Sequence, residues 1–242
     1  MRPYIQSKGG MPGGINFFNA YQGFREMGLE CVLFENAKTL DTSLRSDVVV
    51  GGLGVVQHAL SRFNVVPAQL DYPEELTAYM GRRVWTSTLD EVSTRVEEWP
   101  VFVKPLDDEK RFTGVVVRSM KDLVGCGTCG YNPKVFCSEP VDFIAEWRCF
   151  VRYRKVLDVR PYQGDWHAHF DSNVIDSAVN DYVSAPAGYA ADFGVTRDGR
   201  TLLVEVNDGY ALGCYGLQHN LYAQLLSARW AELVGVQDEC AF

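Results

Sequence analysis

The sequence predicts an α+β protein, and three features of its patterning carry that expectation. In the first third, short apolar runs alternate with segments of helical spacing. From Pro100 onward strand signals dominate and close in a hairpin around Asp198-Gly199. The last stretch, Leu217 to Val234, is helical in pattern. With 242 residues, 47% hydrophobic and 22% charged, the chain has globular composition and enough length to bury a core. At roughly 150 residues per domain it fits one large domain or two small lobes.

Taken in order, Pro3 to Ser7 reads as a short strand, followed by a turn rich in glycine (Gly9, Gly10, Gly13, Gly14). Ile15 to Met27 places Ile15, Phe18, Tyr21 and Arg25 at helical spacing, with Gly28 just past the end as a left-handed stop. Leu29 to Glu35 and Asp47 to Val50 are the next strands, and Val55 to Phe63 the next helix, so parallel β-α-β packing is expected. A turn-rich stretch with Pro67, Asp71, Tyr72 and Pro73 follows. Pro73 opens a helix running to about Met80, Gly81 ends it, and Thr88 to Glu98 reads as another helix. Val101 to Lys104, Gly114 to Arg118 and Val135 to Ser138 read as strands of a small antiparallel sheet. Asp142 to Val156 reads as the longest strand, and Tyr189 to Val195 with Thr201 to Val206 as the hairpin. The implied division is 1–70, 71–140 and 141–242.

Charge and composition exclude several classes. Lys plus Arg is 23 against 31 for Asp plus Glu, a net charge of −8, so no nucleic-acid partner is expected. No apolar run approaches the ~20 residues of a membrane helix, so no membrane partner is expected. The start Met-Arg-Pro-Tyr-Ile-Gln-Ser has no apolar signal region, and the seven cysteines are odd in number and scattered. These features lead us to expect free thiols and a cytoplasmic setting. Oligomeric state is not encoded in any feature of the pattern.

Three constellations could carry chemistry. Lys104 ends the apolar strand Val101-Phe102-Val103, and Pro105 stops the ladder, so its ammonium projects past the sheet and can hold a phosphate. Read alone, it is also an ordinary edge-strand lysine. In Glu146-Trp147-Arg148-Cys149-Phe150-Val151-Arg152, alternation puts Glu146, Arg148, Arg152 and Arg154 on one face. That is either a basic polyanion site or a solvated face with a cross-strand ion pair. In Val204-Glu205-Val206-Asn207, Glu205 and Asn207 share a face, with Asp192 on the preceding hairpin strand. Two carboxylates and an amide oxygen make a hard oxygen site suited to Mg²⁺, or a solvated acidic face.

The order of these parts, with Asp71-Tyr72-Pro73-Glu74-Glu75-Leu76, Gly81-Arg82-Arg83-Val84-Trp85, Phe112-Thr113-Gly114 and Ser138-Glu139-Pro140-Val141, resembles the ATP-grasp superfamily. The likeness is to its clade named for two arginines and a lysine, over roughly residues 65 to 235. The resemblance implies an ATP-grasp fold, two α+β subdomains gripping ATP, preceded by a Rossmann-like lobe. It implies ATP and Mg²⁺ as cofactors and a carboxylate–amine ligase working through an acylphosphate on small-molecule or peptide substrates. It gives Lys104 the α- and β-phosphates, the backbone of Glu139, Pro140 and Val141 the adenine, and Glu146 the ribose. Arg82 falls on the nucleotide's rim, Arg148 near phosphate and Arg160 facing the reacting carboxylate. Asp192, Glu205 and Asn207 become the metal ligands. The alternatives are a kinase that stops at phosphoryl transfer and a nucleotide-binding module without chemistry.

Other features stay open. Cys126-Gly127-Thr128-Cys129, near Cys137, is a metal or redox pair or a plain loop turn, and His167 and His169 could share a strand face as metal ligands. The Gly9 to Gly14 stretch is a plain turn or a loop over the substrate carboxylate. Specificity is expected in Leu106 to Arg111 and in Gln163 to Pro186, the latter a long polar loop able to act as a lid.

Overall fold

The chain begins with β1 (Tyr4–Lys8), which turns through Gly9 and Gly10, both at positive φ, into the short antiparallel β2 (Met11–Pro12). The computed structural model describes residues 1–106, 112–127 and 131–241. Helix α1 (Ile15–Glu26) follows and stops where expected, with Gly28 in the left-handed region at φ 81°. Strands β3 (Val32–Phe34) and β4 (Val49–Val50) lie on either side of β1 and parallel to it, and α2 (Leu53–Ser61) leaves β4 through Gly51 and Gly52. The expected parallel packing is therefore present. A short helix α3 (Thr77–Met80) continues a single 3₁₀ turn over Glu74–Leu76.

The chain forms two compact units, Met1–Tyr79 with Phe143–Phe242, and Met80–Asp142. The second holds β5 (Val84–Thr88), α4 (Leu89–Thr94), β6 (Val101–Pro105), β7 (Val115–Val117) and β8 (Lys134–Ser138). Its antiparallel sheet has the order β5-β8-β6-β7 and packs over a core that includes Val101, Val103, Val117, Val135 and Cys137. The helix expected over Thr88 to Glu98 is shorter: Thr88 caps α4 by accepting from the Glu91 amide at 3.3 Å, and a 3₁₀ turn completes the run.

After the linker at 139–142, β9 (Phe143–Arg152), β10 (Lys155–Gly164), α5 (Ser172–Asp181), β11 (Gly188–Thr196), β12 (Thr201–Asp208) and α6 (His219–Val234) rejoin the first unit. Their sheet has the order β10-β9-β11-β12 and is antiparallel throughout.

Two readings of the sequence need correction here. The single strand expected over Asp142 to Val156 is a hairpin, turning at Tyr153 and Arg154 with φ of 47° and 62°. A two-residue turn of this hand normally recruits Gly, Asn or Asp. Here anchors stand in for glycine: Arg154 donates to the carbonyls of Tyr182 and Asn180 at 2.8 Å, and the Tyr153 hydroxyl donates to Asp238 at 2.9 Å. The loop expected over Gln163 to Pro186 contains α5, whose buried Ile175, Ala178 and Val179 follow helical spacing and whose N-cap Asp171 accepts from the Asn173 amide at 2.9 Å.

One core joins the first sheet to α1, α2 and α6 and takes in Phe150 of β9 and Ala190 of β11. Helices α1 and α6 approach closely at Gly23, where a Cβ would lie 2.0 Å from the His219 carbonyl oxygen.

Candidate active site

The antiparallel register of β10-β9-β11-β12 brings four of the predicted residues into one row across the sheet. Arg160 lies opposite Arg148, Arg148 opposite Asp192, and Asp192 opposite Glu205. Residues opposite one another in such a sheet have Cβ atoms about 5 Å apart, so the row is continuous. Its centre is a buried, bidentate ion pair: Arg148 Nε and Nη2 donate to the two Asp192 carboxylate oxygens at 2.8 and 2.7 Å. Asn207, on the same strand as Glu205, donates its amide to Asp192 at 3.1 Å and to Glu205 at 3.3 Å. Burial pushes the Asp192 carboxyl above the ordinary carboxylate range; Arg148 opposes that, and Glu205 and Glu146 add to it.

The basic face expected on β9 is only partly present, since Arg154 lies in the turn beyond the strand, and the arginines that remain are already partnered. Arg148 carries Asp192, and Arg152 carries Asp238 at 2.8 Å. Arg148 also sits beneath two tyrosines, with its guanidinium carbon 4.8 Å from the Tyr215 ring and 6.0 Å from the Tyr162 ring. The tyrosines stack at 5.1 Å, and the Tyr162 hydroxyl donates to Glu146 at 2.5 Å. Arg160 donates to the Gly216 carbonyl at 2.8 Å, tying β10 to the segment after β12.

Strand β12 is held from both ends of its functional stretch. The Val206 amide donates to the Asp71 carbonyl at 2.8 Å, so the segment around Asp71 runs along its outer edge. Asp208 accepts two hydrogen bonds from Arg229 of α6, both at 2.6 Å. Neither Asp208–Arg229 nor the two tyrosines carried a readable signal as single residues. Their roles arise from register and from α6 packing beneath the sheet.

The donor set fits a hard divalent cation. Two carboxylates and an amide converge: Asp192 Oδ1 accepts from Arg148 and keeps a second lone pair, while Oδ2 accepts from both Arg148 and Asn207, whose amide must turn its oxygen inward to join a cation. Among the described residues no group of three His, Cys, Asp or Glu could hold a metal, since the third donor here is an amide. His167 bonds nearby Asp165 at 2.8 Å and lies tilted against the Trp166 ring. Cys126 is a buried free thiol, while Cys129 and residues 107–111 of the expected specificity loop lie outside the described residues.

The remaining candidates belong to the unit Met80–Asp142 and its exit. Lys104 is half-buried on β6, opposite Phe136 of β8, with Nζ 5.5 Å from that ring's centre. Arg82 donates to the Met80 carbonyl at 2.9 Å. Glu139 is clasped to Arg83, accepting from its amide at 2.9 Å and donating its own amide to the Arg83 carbonyl at 3.2 Å. Pro140 and Val141 continue as irregular chain, the kind of segment that leaves backbone groups available to a ligand.

A family model decides the affiliation: the ATP-grasp domain, R2K clade family 2, matches residues 79–225. The chain belongs to this ATP-grasp family. Solved ATP-grasp ligases share its fold. The L-amino acid ligase from Bacillus licheniformis superimposes with a TM-score of 0.59 at 12% identity, covering 100% of this chain and 77% of that one. The D-alanine–D-alanine ligase from Bacillus anthracis complexed with ATP gives 0.56 at 11% identity, covering 97% of each chain. The macrocyclase MdnC from Microcystis aeruginosa MRC, bound to its precursor peptide MdnA, gives 0.53 at 13% identity, covering 93% and 99%. No curated protein matches the sequence. No described helix is long and apolar enough to cross a membrane.

Proposed function

We propose that this ATP-grasp protein is an ATP- and Mg²⁺-dependent carboxylate–amine ligase of small-molecule or peptide substrates. The observation that carries the reading is the row Arg160, Arg148, Asp192, Glu205, completed by Asn207, in a chain whose family and structural neighbours are ATP-grasp. The structural neighbours named above are ligases or a macrocyclase, which supports this reaction class over others.

The roles follow from chemistry. Lys104 offers a point charge to the α- and β-phosphates, with Arg82 at the rim. The Glu139–Val141 backbone reads adenine and Glu146 accepts from ribose. Arg148 reaches phosphate through Nη1, the guanidinium nitrogen outside the Asp192 pair. Asp192, Glu205 and Asn207 would hold Mg²⁺, which neutralises phosphate charge when bound. A substrate carboxylate oxygen attacks the γ-phosphorus, the bond to the β-bridging oxygen breaks, and ADP leaves an acylphosphate. An amine then attacks the acyl carbon, the C–O bond to phosphate breaks with its electron pair leaving on phosphate, and the nitrogen gives up a proton to solvent. Arg160 orients the carboxylate. No protein nucleophile is needed, and positioning with electrostatic stabilisation supplies the catalysis. Residues 1–70 serve the substrate side, 71–140 the nucleotide side and 141–242 the metal.

The test is ADP release from ATP and Mg²⁺ across a panel of carboxylic acids and amines. Full turnover requires one of each, and hydroxylamine in place of the amine yields a hydroxamate. ADP release that needs only an acid or alcohol and yields a stable phosphorylated product would make the protein a kinase.

A further inference from the structure

Within the unit formed by 1–79 and 143–242 lies a cavity of about 170 Å³. Its lining sorts by depth. The floor is Val50, Leu212, Tyr222, Leu226 and Trp230, all buried, whereas the rim includes Ala211 and Gly52, both exposed, and the half-buried Asn16. The floor residues able to donate already do so elsewhere. Trp230 Nε1 donates to the Arg45 carbonyl at 3.0 Å, and the Tyr222 hydroxyl donates to the Leu212 carbonyl.

The cavity is placed and held as a binding site would be. It opens at the carboxyl end of β4, beside β1, where the chain departs to β3 on one side and arrives at β4 on the other. In open parallel sheets this reversal point is where ligands settle. The segment forming its far wall is tied down, since the Cys214 amide donates to Asn16 at 3.0 Å and Asn19 donates to the Leu217 carbonyl at 3.0 Å. Ala211 follows Asn207 by four residues, so its Cα lies within about 14 Å of the proposed metal ligand.

We propose that this cavity is the specificity pocket for one compact apolar side chain, branched aliphatic or phenyl, on the substrate that is ligated. A space of about 170 Å³ is large enough for a benzene-sized group, and an apolar floor under a polar rim selects such a group by shape. The polar end of the ligand remains at the rim. The inference rests on the ligase reading above and adds to it what the substrate must look like.

The experiment uses the full chain and four probes: acetate, isovalerate, 3-phenylpropanoate and 3-methylbutylamine. Binding is followed by saturation-transfer NMR and titration without nucleotide. Either isovalerate or 3-methylbutylamine is expected to bind at least tenfold tighter than acetate, and the one that does identifies the partner carrying the side chain. Ala211→Phe places bulk in the rim at a position already at positive φ (50°), and is expected to weaken that binding tenfold or more. Leu226→Ala enlarges the floor and is expected to shift preference toward 3-phenylpropanoate; a poorly folded variant leaves the Ala211→Phe result to decide. Equal binding of all four probes, no binding of any, or indifference to Ala211→Phe overturns the pocket. Tight, Ala211-sensitive binding with no ADP release on any acid–amine pair would instead overturn the ligase reading. Acid- and amine-dependent ADP release blind to side-chain size would leave that reading standing and remove the pocket.

Discussion

The sheets of the two units handle charge in opposite ways. In β10-β9-β11-β12 the charged groups are part of the interior: Arg148 is 7% exposed and Asp192 2%. In β5-β8-β6-β7 the interior is apolar, and Lys104, Arg82 and Glu139 lie on strand surfaces and ends above a core of valines and cysteines. A fully buried charge is costly to leave without its counter-ion, whereas a half-exposed charge stays in reach of water, so truncating it costs folding less. Function and stability should therefore be inseparable in the row from Arg160 to Glu205 and separable in β5-β8-β6-β7.

The largest effect should come from cutting the central pair. Arg148→Met leaves Asp192 buried without its guanidinium, and unfolding free energy is expected to fall by about 3–5 kcal/mol in urea titrations. Activity should vanish with it. Lys104→Ala in the other sheet is expected to cost less than about 1 kcal/mol while lowering kcat/KM for ATP by about 100-fold or more. If Arg148→Met is as stable as the parent, or Lys104→Ala unfolds, the distinction between the two sheets is wrong.

Much of this was legible in the chain before folding, and what was not has physical reasons. Lys104, Glu205 and Asn207 stand out because polar residues at alternate positions interrupt apolar strands, and period-two patterning is local. The Tyr153-Arg154 turn was hidden because tertiary anchors on Asn180, Tyr182 and Asp238 replace the glycine that would have marked it. Missing that turn also concealed β10, and with it the alignment of Arg160 opposite Arg148. Helix α5 was present in the pattern, with Ile175, Ala178 and Val179 correctly spaced, but polar residues around it made the segment look like a loop. The partners of Arg148 and Asp208 depend on register and on α6, which no window of sequence contains.

A second buried pair in the same sheet separates burial from function. Asp238 accepts from Arg152, Tyr153, Ser227 and the Cys240 amide, far along β9 from the proposed metal ligands. Burial alone would raise its carboxyl, but the hydrogen bonds from Ser227, Arg152, the Cys240 amide and Tyr153 together outweigh that and hold it below the ordinary range. A carboxyl lowered in the folded state stabilises fully above its unfolded value of about 4 and loses that contribution as pH falls through its folded value. Asp238→Asn is expected to cost about 1.5–3 kcal/mol at pH 7, and the gap to the parent should close as pH drops below about 4. Activity per folded molecule should be unchanged, which would show that burying charge in this sheet is not by itself what makes a site.

The smallest expected effect falls at the edge of the row, on Tyr162. Its hydroxyl donates to Glu146 at 2.5 Å, while its ring stacks on Tyr215 above Arg148. Burial, the Asp192 charge and the bond to Glu146 all raise its pKa, so it remains a donor at any working pH. Tyr162→Phe keeps the ring and removes only that donor. Glu146 is half-buried and can recruit water, so the stability cost should be about 1 kcal/mol. If Glu146 accepts from the ribose, losing the group that orients it should raise the KM for ATP a few-fold with kcat unchanged, because the contact is made equally in the ground and transition states. A fall in kcat with constant KM would instead place Tyr162 and Glu146 beside the transferring phosphoryl group. No change in either constant would confine the functional part of the sheet to the row from Arg160 to Glu205.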